Sequence, residues 1–257
     1  MLKVRLKFLI ASLTSCTGCI SALISLDIFP QFLERTKIEY FPFISDNLEI
    51  KECDVALIEG CVSEKNQIKY LQEIRKNAKK LYALGTCSAF GGILSLSNKK
   101  ESYPISKFVE VDGIIPGCPP PSILLGNCLL RLVENKKIKL SLKNMCSTCP
   151  LKNHAKLDLP LTIEKIVPRN DEIRFPEENL SCFLNDGILC LGPVTREGCD
   201  HLCINQGLPC EGCLGPVSKG FTSNLINFLS LFNLSKDLRK YKGIYYRFSK
   251  SHVGGKV

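Results

Sequence analysis

The sequence lacks any apolar stretch that approaches the length of a membrane span. A helix needs about 18–20 apolar residues to cross a bilayer, and the candidate segment 221–234 is too short and carries polar residues. A secretory signal peptide is also missing, because Arg5 and Lys7 interrupt the apolar run 4–13 and no small-residue cleavage site follows it. These absences predict a cytoplasmic protein without a membrane span.

Recognition motifs for nucleic acid are missing as well. The formal net charge is +9, but the lysines and arginines are scattered singly and in pairs, without the aromatic–basic motif of an RNA- or DNA-binding module. We therefore expect no nucleic-acid partner. A basic surface would instead suit an acidic protein partner.

Cysteine is the residue that the sequence has in excess, with 15 among 257 residues. Lasting disulfides are rare in the cytoplasm, where cysteines more often bind metal. The first pair, Cys16 and Cys19, lies between an apolar strand-like run and a helical stretch at 20–26. Such a pair can be a redox disulfide, half of a zinc site or half of an iron–sulfur site, so by itself it leaves three chemistries open.

Strand-like and helix-like segments alternate through the first half of the chain. Apolar residues at helical spacing predict an amphipathic helix over 65–79, and a serine behind prolines predicts the start of another over 122–134. The alternation predicts an α/β fold with a parallel, doubly wound sheet. The predicted strands are residues 4–13, 37–43, 55–58, 81–84 and 111–115.

Four cysteines follow directly after predicted strands: Cys16, Cys19, Cys87 and Cys118. The C-terminal ends of parallel strands meet at one edge of an open sheet, where such folds build their sites. We therefore expect these four thiols to converge, although they are far apart in the sequence. Neighbouring glycines would let the backbone approach the sulfurs closely.

The second half of the chain has a different character. Beyond about residue 140 the alternation is lost, and residues 146–216 are rich in cysteine, proline and glycine. Such a segment lacks an apolar core and folds around what it binds, so we predict two domains, 1–140 and 141–257. Its eight cysteines make two sets of four: Cys146, Cys149, Cys182, Cys190, Cys199, Cys203, Cys210 and Cys213.

Six short motifs follow one another along the chain: TSCTGC (14–19), LIEG (57–60), GTCSAFGG (85–92), IPGCPP (115–120), LCLGP (189–193) and GLPCEGCLGP (207–216). In this order they resemble the motifs of the small, electron-transferring subunit of NiFe hydrogenases. The resemblance implies a flavodoxin-like doubly wound parallel sheet followed by a mostly irregular iron–sulfur-cluster domain.

The same resemblance implies three 4Fe–4S clusters. Carried over residue by residue, the proximal ligands are Cys16, Cys19, Cys87 and Cys118; the medial ligands are Cys199, Cys203, Cys210 and Cys213; and the distal ligands are Cys146, Cys149, Cys182 and Cys190. Glu59 of the LIEG motif is a candidate contact with the large subunit, or else a helix cap or surface carboxylate. The remaining thiols, Cys53, Cys61 and Cys128, are expected to be buried as small apolar residues.

The implied function is to carry electrons from H2 oxidation at the NiFe site of a separate large subunit. The electrons would pass through the clusters to an iron–sulfur or flavin partner, such as a heterodisulfide reductase complex. Many relatives have a histidine where this chain has Cys146, and a proline where it has Cys203. An all-cysteine version without a leader or membrane anchor resembles the cytoplasmic hydrogenases of methanogens that do not use deazaflavin.

Three alternatives stay open at this point. Two are the small subunits of a deazaflavin-reducing hydrogenase and of a sulfhydrogenase. The third belongs to a different class, a zinc-binding scaffold or docking protein. Zinc ribbons use close cysteine pairs in small hairpins, whereas the first set here runs from Cys16 to Cys118.

Overall fold

The computed structural model describes residues 5–46, 48–97, 101–155, 160–166, 181–217, 221–234 and 247–248. The fold divides into two compact units, with the division between Lys139 and Leu140.

A five-stranded parallel sheet forms the centre of the first unit. Its strands are β1 (Leu6–Ser12), β2 (Thr36–Tyr40), β3 (Cys53–Glu59), β4 (Ala78–Leu84) and β5 (Gly113–Ile115). Their order across the sheet is β2-β1-β3-β4-β5, and each neighbouring pair is parallel. This is the flavodoxin-like arrangement of a doubly wound fold, and the fold prediction is confirmed.

Five helices accompany this sheet: α1 (Gly18–Ile24), α2 (Phe29–Arg35), α3 (Lys65–Asn77), α4 (Gly85–Phe90) and α5 (Ser122–Val133). The sequence predicted α1, α3 and α5. It did not predict α2 or α4, which have seven and six residues and are too short for a clear helical period.

The core lies on both faces of the central strands. Phe8, Leu9 and Ile10 of β1 are fully buried, and so are Leu71 and Ile74 of α3. Strands that are covered on both faces read as continuous apolar runs, which is why β1 and β3 were evident in the sequence. Each buried side chain of this size contributes roughly 1.5–3 kcal/mol.

Helix α3 is attached to the loop after β1 by its capping residues. Glu64 and Gln67 form a capping box, which satisfies backbone N–H groups that have no partner within the helix. The Gln67 side chain also donates a 2.8 Å hydrogen bond to the Thr14 hydroxyl. The helix start therefore steadies the loop that leads to the first cysteine pair.

Short elements joined by turns make up the second unit. They are β6 (Leu161–Ile163), α6 (Leu202–Asn205), α7 (Phe221–Ser230) and β7 (Phe232–Leu234), and β6 pairs in parallel with β7. Helix α7 begins at Phe221, and residues 249–257 lie outside the described residues. In the parts of the chain that the structure describes, no helix has the length and apolarity needed to cross a membrane.

Candidate functional site

Four cysteine thiols lie at the C-terminal edge of the sheet. Cys16 follows β1, Cys19 lies in the first turn of α1, Cys87 lies in α4 directly after β4, and Cys118 follows β5. The pKa of the Cys19 thiol is raised mainly by burial and next by the Glu59 carboxylate. Smaller contributions come from the thiols of Cys87, Cys118 and Cys16, so all three lie within electrostatic range of Cys19.

Bare backbone faces three of these sulfurs. A Cβ atom on Gly92, whose φ is +62°, would lie 2.5 Å from the Cys87 sulfur, and one on Gly85, whose φ is +82°, would overlap the Cys19 sulfur. A Cβ on Gly18 would lie 3.3 Å from the Cys16 sulfur. Only glycine tolerates both the close approach and the positive φ at residues 85 and 92. The three sulfurs therefore lie directly against glycine main chain.

Thr86 joins the two segments that carry Cys87 and Cys118. Its backbone N–H donates to the Gly117 carbonyl at 2.9 Å, and its hydroxyl accepts from the Gly117 N–H at 3.0 Å. Thr86 is buried, so water does not compete for these bonds. The pair fixes the spacing between the third and fourth thiols.

Glu59 is buried at the end of β3, with 1% of its surface exposed. Its Oε1 accepts from the N–H groups of Cys19 at 2.8 Å and Ile20 at 3.4 Å, and its Oε2 accepts from the Ser12 hydroxyl at 3.0 Å. The carboxylate therefore caps α1 at its positive end, from a different element. The surface interpretation of Glu59 was wrong and the capping interpretation is confirmed, while contact with a large subunit stays a prediction.

A second group of thiols lies in the second unit. Burial raises the pKa of Cys146 to about 12, and the next contributions come from the thiols of Cys190, Cys149 and Cys182. These are the four cysteines of the predicted distal set. A Cβ on Gly192 would lie 3.0 Å from the Cys146 sulfur and 3.6 Å from the Cys190 sulfur, so bare backbone again faces the thiols.

Asn144 fixes the turn that carries Cys146. Its side-chain oxygen accepts from the Ser147 N–H at 3.1 Å, and its side-chain nitrogen donates to the Pro193 carbonyl at 3.1 Å. The turn with the first thiol is thereby held against the turn that follows Cys190. Sequence reasoning missed this role, because asparagine is common in loops of every kind.

In the predicted medial set, neighbouring thiols raise the pKa of Cys203 and of Cys210. Burial and then the Cys199 thiol raise the pKa of Cys203. Burial and then the Cys190 thiol raise the pKa of Cys210, and Cys213 contributes less. The sequence did not predict that Cys210 lies so close to Cys190, a cysteine of the other set.

Direct hydrogen bonds join those two segments. The Leu191 N–H donates to the Cys210 carbonyl at 2.8 Å, and the Cys210 N–H donates to the Cys190 sulfur at 3.3 Å. Thr195, a buried residue absent from the predicted site, lies beside them with its hydroxyl 2.6 Å from the Leu191 carbonyl.

His201 lies between Cys199 and Cys203 in the sequence. In the structure its Nε2 lies 3.2 Å from the Met145 carbonyl and 3.4 Å from the Thr148 hydroxyl. The ring therefore connects the loop of Cys199 and Cys203 to the loop of Cys146 and Cys149.

The three thiols outside the sets are buried, as predicted, with exposures of 2%, 0% and 2% for Cys53, Cys61 and Cys128. Cys61 has a closer relation to the site than expected. Its thiol donates to the Thr14 carbonyl at 3.5 Å. The pKa of Cys87 is raised to about 12, first by burial and next by the Cys61 thiol.

The donor sets fit iron–sulfur ligation. All fifteen cysteines are free thiols, and the two converging groups contain no other ligand type. Within the described ranges, no three His, Cys, Asp or Glu side chains lie close enough together to hold one metal ion. A zinc ion binds its sulfurs at about 2.3 Å and gathers them tightly, whereas a four-iron cluster occupies the space between four thiols and accepts hydrogen bonds from nearby amides.

Part of the chain matches a known protein family. Residues 16–132 match the family described as NADH ubiquinone oxidoreductase, 20 Kd subunit. The matched range contains the first group of thiols and Glu59 and ends before the second unit.

Longer matches are found with archaeal proteins. The chain is 32% identical to the G subunit of the F420-non-reducing hydrogenase vhu of Methanocaldococcus jannaschii, over 90% of this chain and 89% of the relative. It is 28% identical to the delta subunit of sulfhydrogenase 2 of Pyrococcus furiosus, over 82% of this chain and 86% of the relative.

Solved hydrogenase structures share the fold. A chain of the [NiFeSe] hydrogenase from Desulfovibrio vulgaris Hildenborough matches with a TM-score of 0.60 at 21% identity, covering 84% of this chain and 95% of that one. A chain of the actinobacterial-type NiFe-hydrogenase from Ralstonia eutropha H16 matches with a TM-score of 0.65 at 14% identity, covering 91% and 83%.

Proposed function

The chain belongs to the family of F420-non-reducing hydrogenase G subunits, and from that membership we propose how it carries electrons. It is an iron–sulfur small subunit of a NiFe hydrogenase and acts together with a large subunit. We propose that it holds three 4Fe–4S clusters and passes electrons from H2 oxidation on the large subunit to a further redox subunit.

The observation that carries this proposal is the group of four thiols at the C-terminal edge of the sheet. Cys16, Cys19, Cys87 and Cys118 would hold the proximal cluster, and when bound such a cluster accepts and releases one electron at a time. The glycine backbone beside the sulfurs makes room for a cluster and offers it N–H groups. Glu59 holds the first turn of α1, and with it Cys19, in place.

The second unit would hold the other two clusters. The proposed distal ligands are Cys146, Cys149, Cys182 and Cys190. The other three thiols all raise the pKa of Cys146, which supports that grouping. The proposed medial ligands are Cys199, Cys203, Cys210 and Cys213. The hydrogen bond from Cys210 to Cys190 brings the two proposed ligand sets into direct contact.

The surface around the first group fits a protein partner. Cys16 and Cys118 are exposed, and exposed apolar side chains follow the site glycines and prolines, with Ile93 at 45% and Ile123 at 63% exposure. We propose that the large subunit covers this surface, since apolar side chains near exposed ligands favour burial against a partner.

The electron acceptor we propose is an iron–sulfur or flavin subunit, such as one of a heterodisulfide reductase complex, in the cytoplasm. Free thiols throughout the chain fit a reducing compartment. A zinc scaffold is not favoured, because the relatives that match most of the chain are hydrogenase subunits.

The decisive experiment is to measure iron, acid-labile sulfide and zinc per chain after purification without oxygen. About twelve iron and about twelve sulfide, with little zinc, would support three four-iron clusters. About four of each would leave one cluster and refute the proposal for the second unit. About three zinc and no iron would refute the electron-transfer role altogether.

A further inference from the structure

A groove of about 500 Å³ lies on the surface of the second unit, along one side of α7. Its lining is mostly apolar, and two of its leucines are exposed, Leu142 at 81% and Leu231 at 41%. Apolar side chains that remain exposed around a concave surface mark a place where a partner binds.

The polar groups of the groove come mainly from α7. Asn224 and Asn227 line the groove, are exposed, and are three residues apart on the helix, so they lie on the same face. Each side-chain amide offers donors and an acceptor, which are the groups that bond to peptide C=O and N–H. The groove can therefore bind a polypeptide segment through its main chain as well as through apolar side chains.

A buried positive charge lies behind one wall of this groove. The Arg196 guanidinium donates to the carbonyls of Pro216 at 2.9 Å and Val217 at 2.8 Å, and also to the Ser141 carbonyl. Pro216 and Val217 line the groove, and so does Leu142, the residue after Ser141. Among the described residues, no carboxylate forms an ion pair with Arg196, and its Nε has no hydrogen-bond acceptor. A guanidinium stays charged, and burial of a charge without an opposite one is costly.

The nearest charged residues in the chain do not neutralise Arg196. The Glu197 carboxylate accepts from the hydroxyls of Ser141 and Thr148, and it lies within electrostatic range of Lys143. Arg196 is therefore the charge that is left without a counterpart beside the groove. A segment that carries a carboxylate complements it.

The groove also borders the proposed distal ligands. Asn144, two residues before Cys146, and Pro193, three residues after Cys190, both line it. The Asn144 side chain donates to the Pro193 carbonyl at 3.1 Å. A partner in the groove would therefore lie against the two turns that carry these thiols.

We propose that this groove is the docking site of the redox subunit that accepts electrons from this chain, and that the subunit inserts a segment with apolar side chains and a carboxylate. The inference rests on the proposed function, because the acceptor is the partner proposed there. The apolar side chains fill the groove, and the carboxylate compensates the charge of Arg196. The distal cluster is then oxidised and the cofactor of the acceptor is reduced by the same electron, with no bond or proton exchanged.

The test compares Leu142→Glu with Leu142→Lys in the assembled enzyme, which contains the large subunit and the redox subunit. H2-dependent reduction of the redox subunit should fall about tenfold or more in Leu142→Glu, because like charges then meet in the groove. Leu142→Lys should lose much less. The matched control is Leu130→Glu, at a leucine of α5 that is 47% exposed, and it should lose nothing.

Two further readings are taken from the same proteins. Iron content and H2-dependent reduction of methyl viologen, a small dye that needs no docking groove, should be unchanged in all three variants. An unchanged reduction of the redox subunit in Leu142→Glu overturns the inference, and so does an equal loss in Leu142→Lys or in Leu130→Glu. Loss of methyl viologen reduction in Leu142→Glu at full iron content also overturns it, because the groove would then serve the large subunit.

Cross-linking identifies the occupant even if Leu142→Glu fails to assemble. A photoreactive benzophenone group introduced at residue 142 should cross-link to a segment of the redox subunit that contains apolar residues and Asp or Glu. Cross-links to the large subunit, to a second copy of this chain or to no protein overturn the inference. Failure of the proposed function looks different, because the wild-type enzyme would then lack iron or fail to reduce methyl viologen with H2.

Discussion

Cys118 and Cys53 are thiols of the same unit in different surroundings. Cys118 is exposed at the sheet edge near three other thiols, whereas Cys53 is buried at the start of β3. Removal of a thiol that binds iron should cost the protein its cluster, whereas removal of a thiol that packs in the core should not. The comparison is therefore a direct test of the proximal ligand set.

We expect Cys118→Ala to lose about four iron atoms per chain and to stop H2-dependent reduction of the acceptor in the assembled enzyme. Cys53→Ala removes one sulfur from the core and should keep both iron content and electron flow. Iron analysis and an H2-dependent assay check both variants. Normal electron flow in Cys118→Ala would remove Cys118 from the ligand set.

Burial of Cys128 makes the stability of the chain depend on pH. Burial raises the pKa of its thiol from 9.0 to about 11, so the folded state retains a proton that the unfolded chain loses. The stabilisation is complete below pH 9 and is lost as the pH rises toward 11.

In denaturant unfolding at about pH 8 and about pH 10.5, the wild type should therefore lose more stability than Cys128→Ala does. We expect an excess on the order of 2 kcal/mol. An equal loss in both proteins would contradict the burial effect.

At the scale of elements, helix α1 depends on a carboxylate from β3. Glu59→Ala would leave the N–H groups of Cys19 and Ile20 without acceptors, and we expect a loss on the order of 3 kcal/mol together with proximal iron. Glu59→Gln keeps one oxygen for these N–H groups, so its stability and iron content should lie between those of Glu59→Ala and of the wild type. Thermal unfolding and iron analysis measure both effects. Glu73→Ala, on the exposed face of α3, is the matched control, and an equal effect there would refute the capping role.

The start of α4 depends on a glycine. We expect Gly85→Ala to lose the proximal cluster, because the new Cβ would overlap the Cys19 sulfur and φ is +82°. Gly126→Ala is the control, since Gly126 lies inside α5 and its Cβ would lie 3.6 Å from the Ile28 side chain, an ordinary van der Waals contact. That variant should gain about 0.5–1 kcal/mol. Retention of the full iron content in Gly85→Ala would contradict the close packing at this edge.

The elements also show how far the sequence was informative. Continuous apolar runs predicted β1 and β3, and cysteines placed after strands predicted the edge where the first thiols meet. The cap on α1 was not predictable in the same way, because Glu59 reaches it from 40 residues away in the chain. Asn144 acts through a contact with the Pro193 carbonyl, 49 residues away in the chain, and no periodic pattern marks such a residue.

At the scale of the whole molecule, the two units are stabilised by different kinds of contact. The first has an apolar core around a five-stranded sheet. The second also buries apolar side chains, such as Ile163, Phe183 and Leu214, so the expectation that it lacks an apolar core was wrong, but it packs them among short elements and loops. Arg196 is one example of a loop contact: it is 8% exposed, and its guanidinium donates to the carbonyls of Pro216 at 2.9 Å and Val217 at 2.8 Å.

We therefore expect removal of iron by a chelator to unfold the second unit while the sheet of the first persists. Hydrogen exchange followed by mass spectrometry should show lost protection around residues 181–217 and retained protection in β1, β3 and β4. The first unit serves as the internal reference. Equal protection of both units after complete iron removal would contradict this difference.

The parallel sheet also has a consequence for the order of events during biosynthesis. Cys16 and Cys19 leave the ribosome long before Cys118, which becomes available only when β5 has been made and has paired with β4. A nascent chain that met iron early would offer it two thiols instead of four. We therefore expect the proposed first site to be loaded late in maturation, after the sheet has folded.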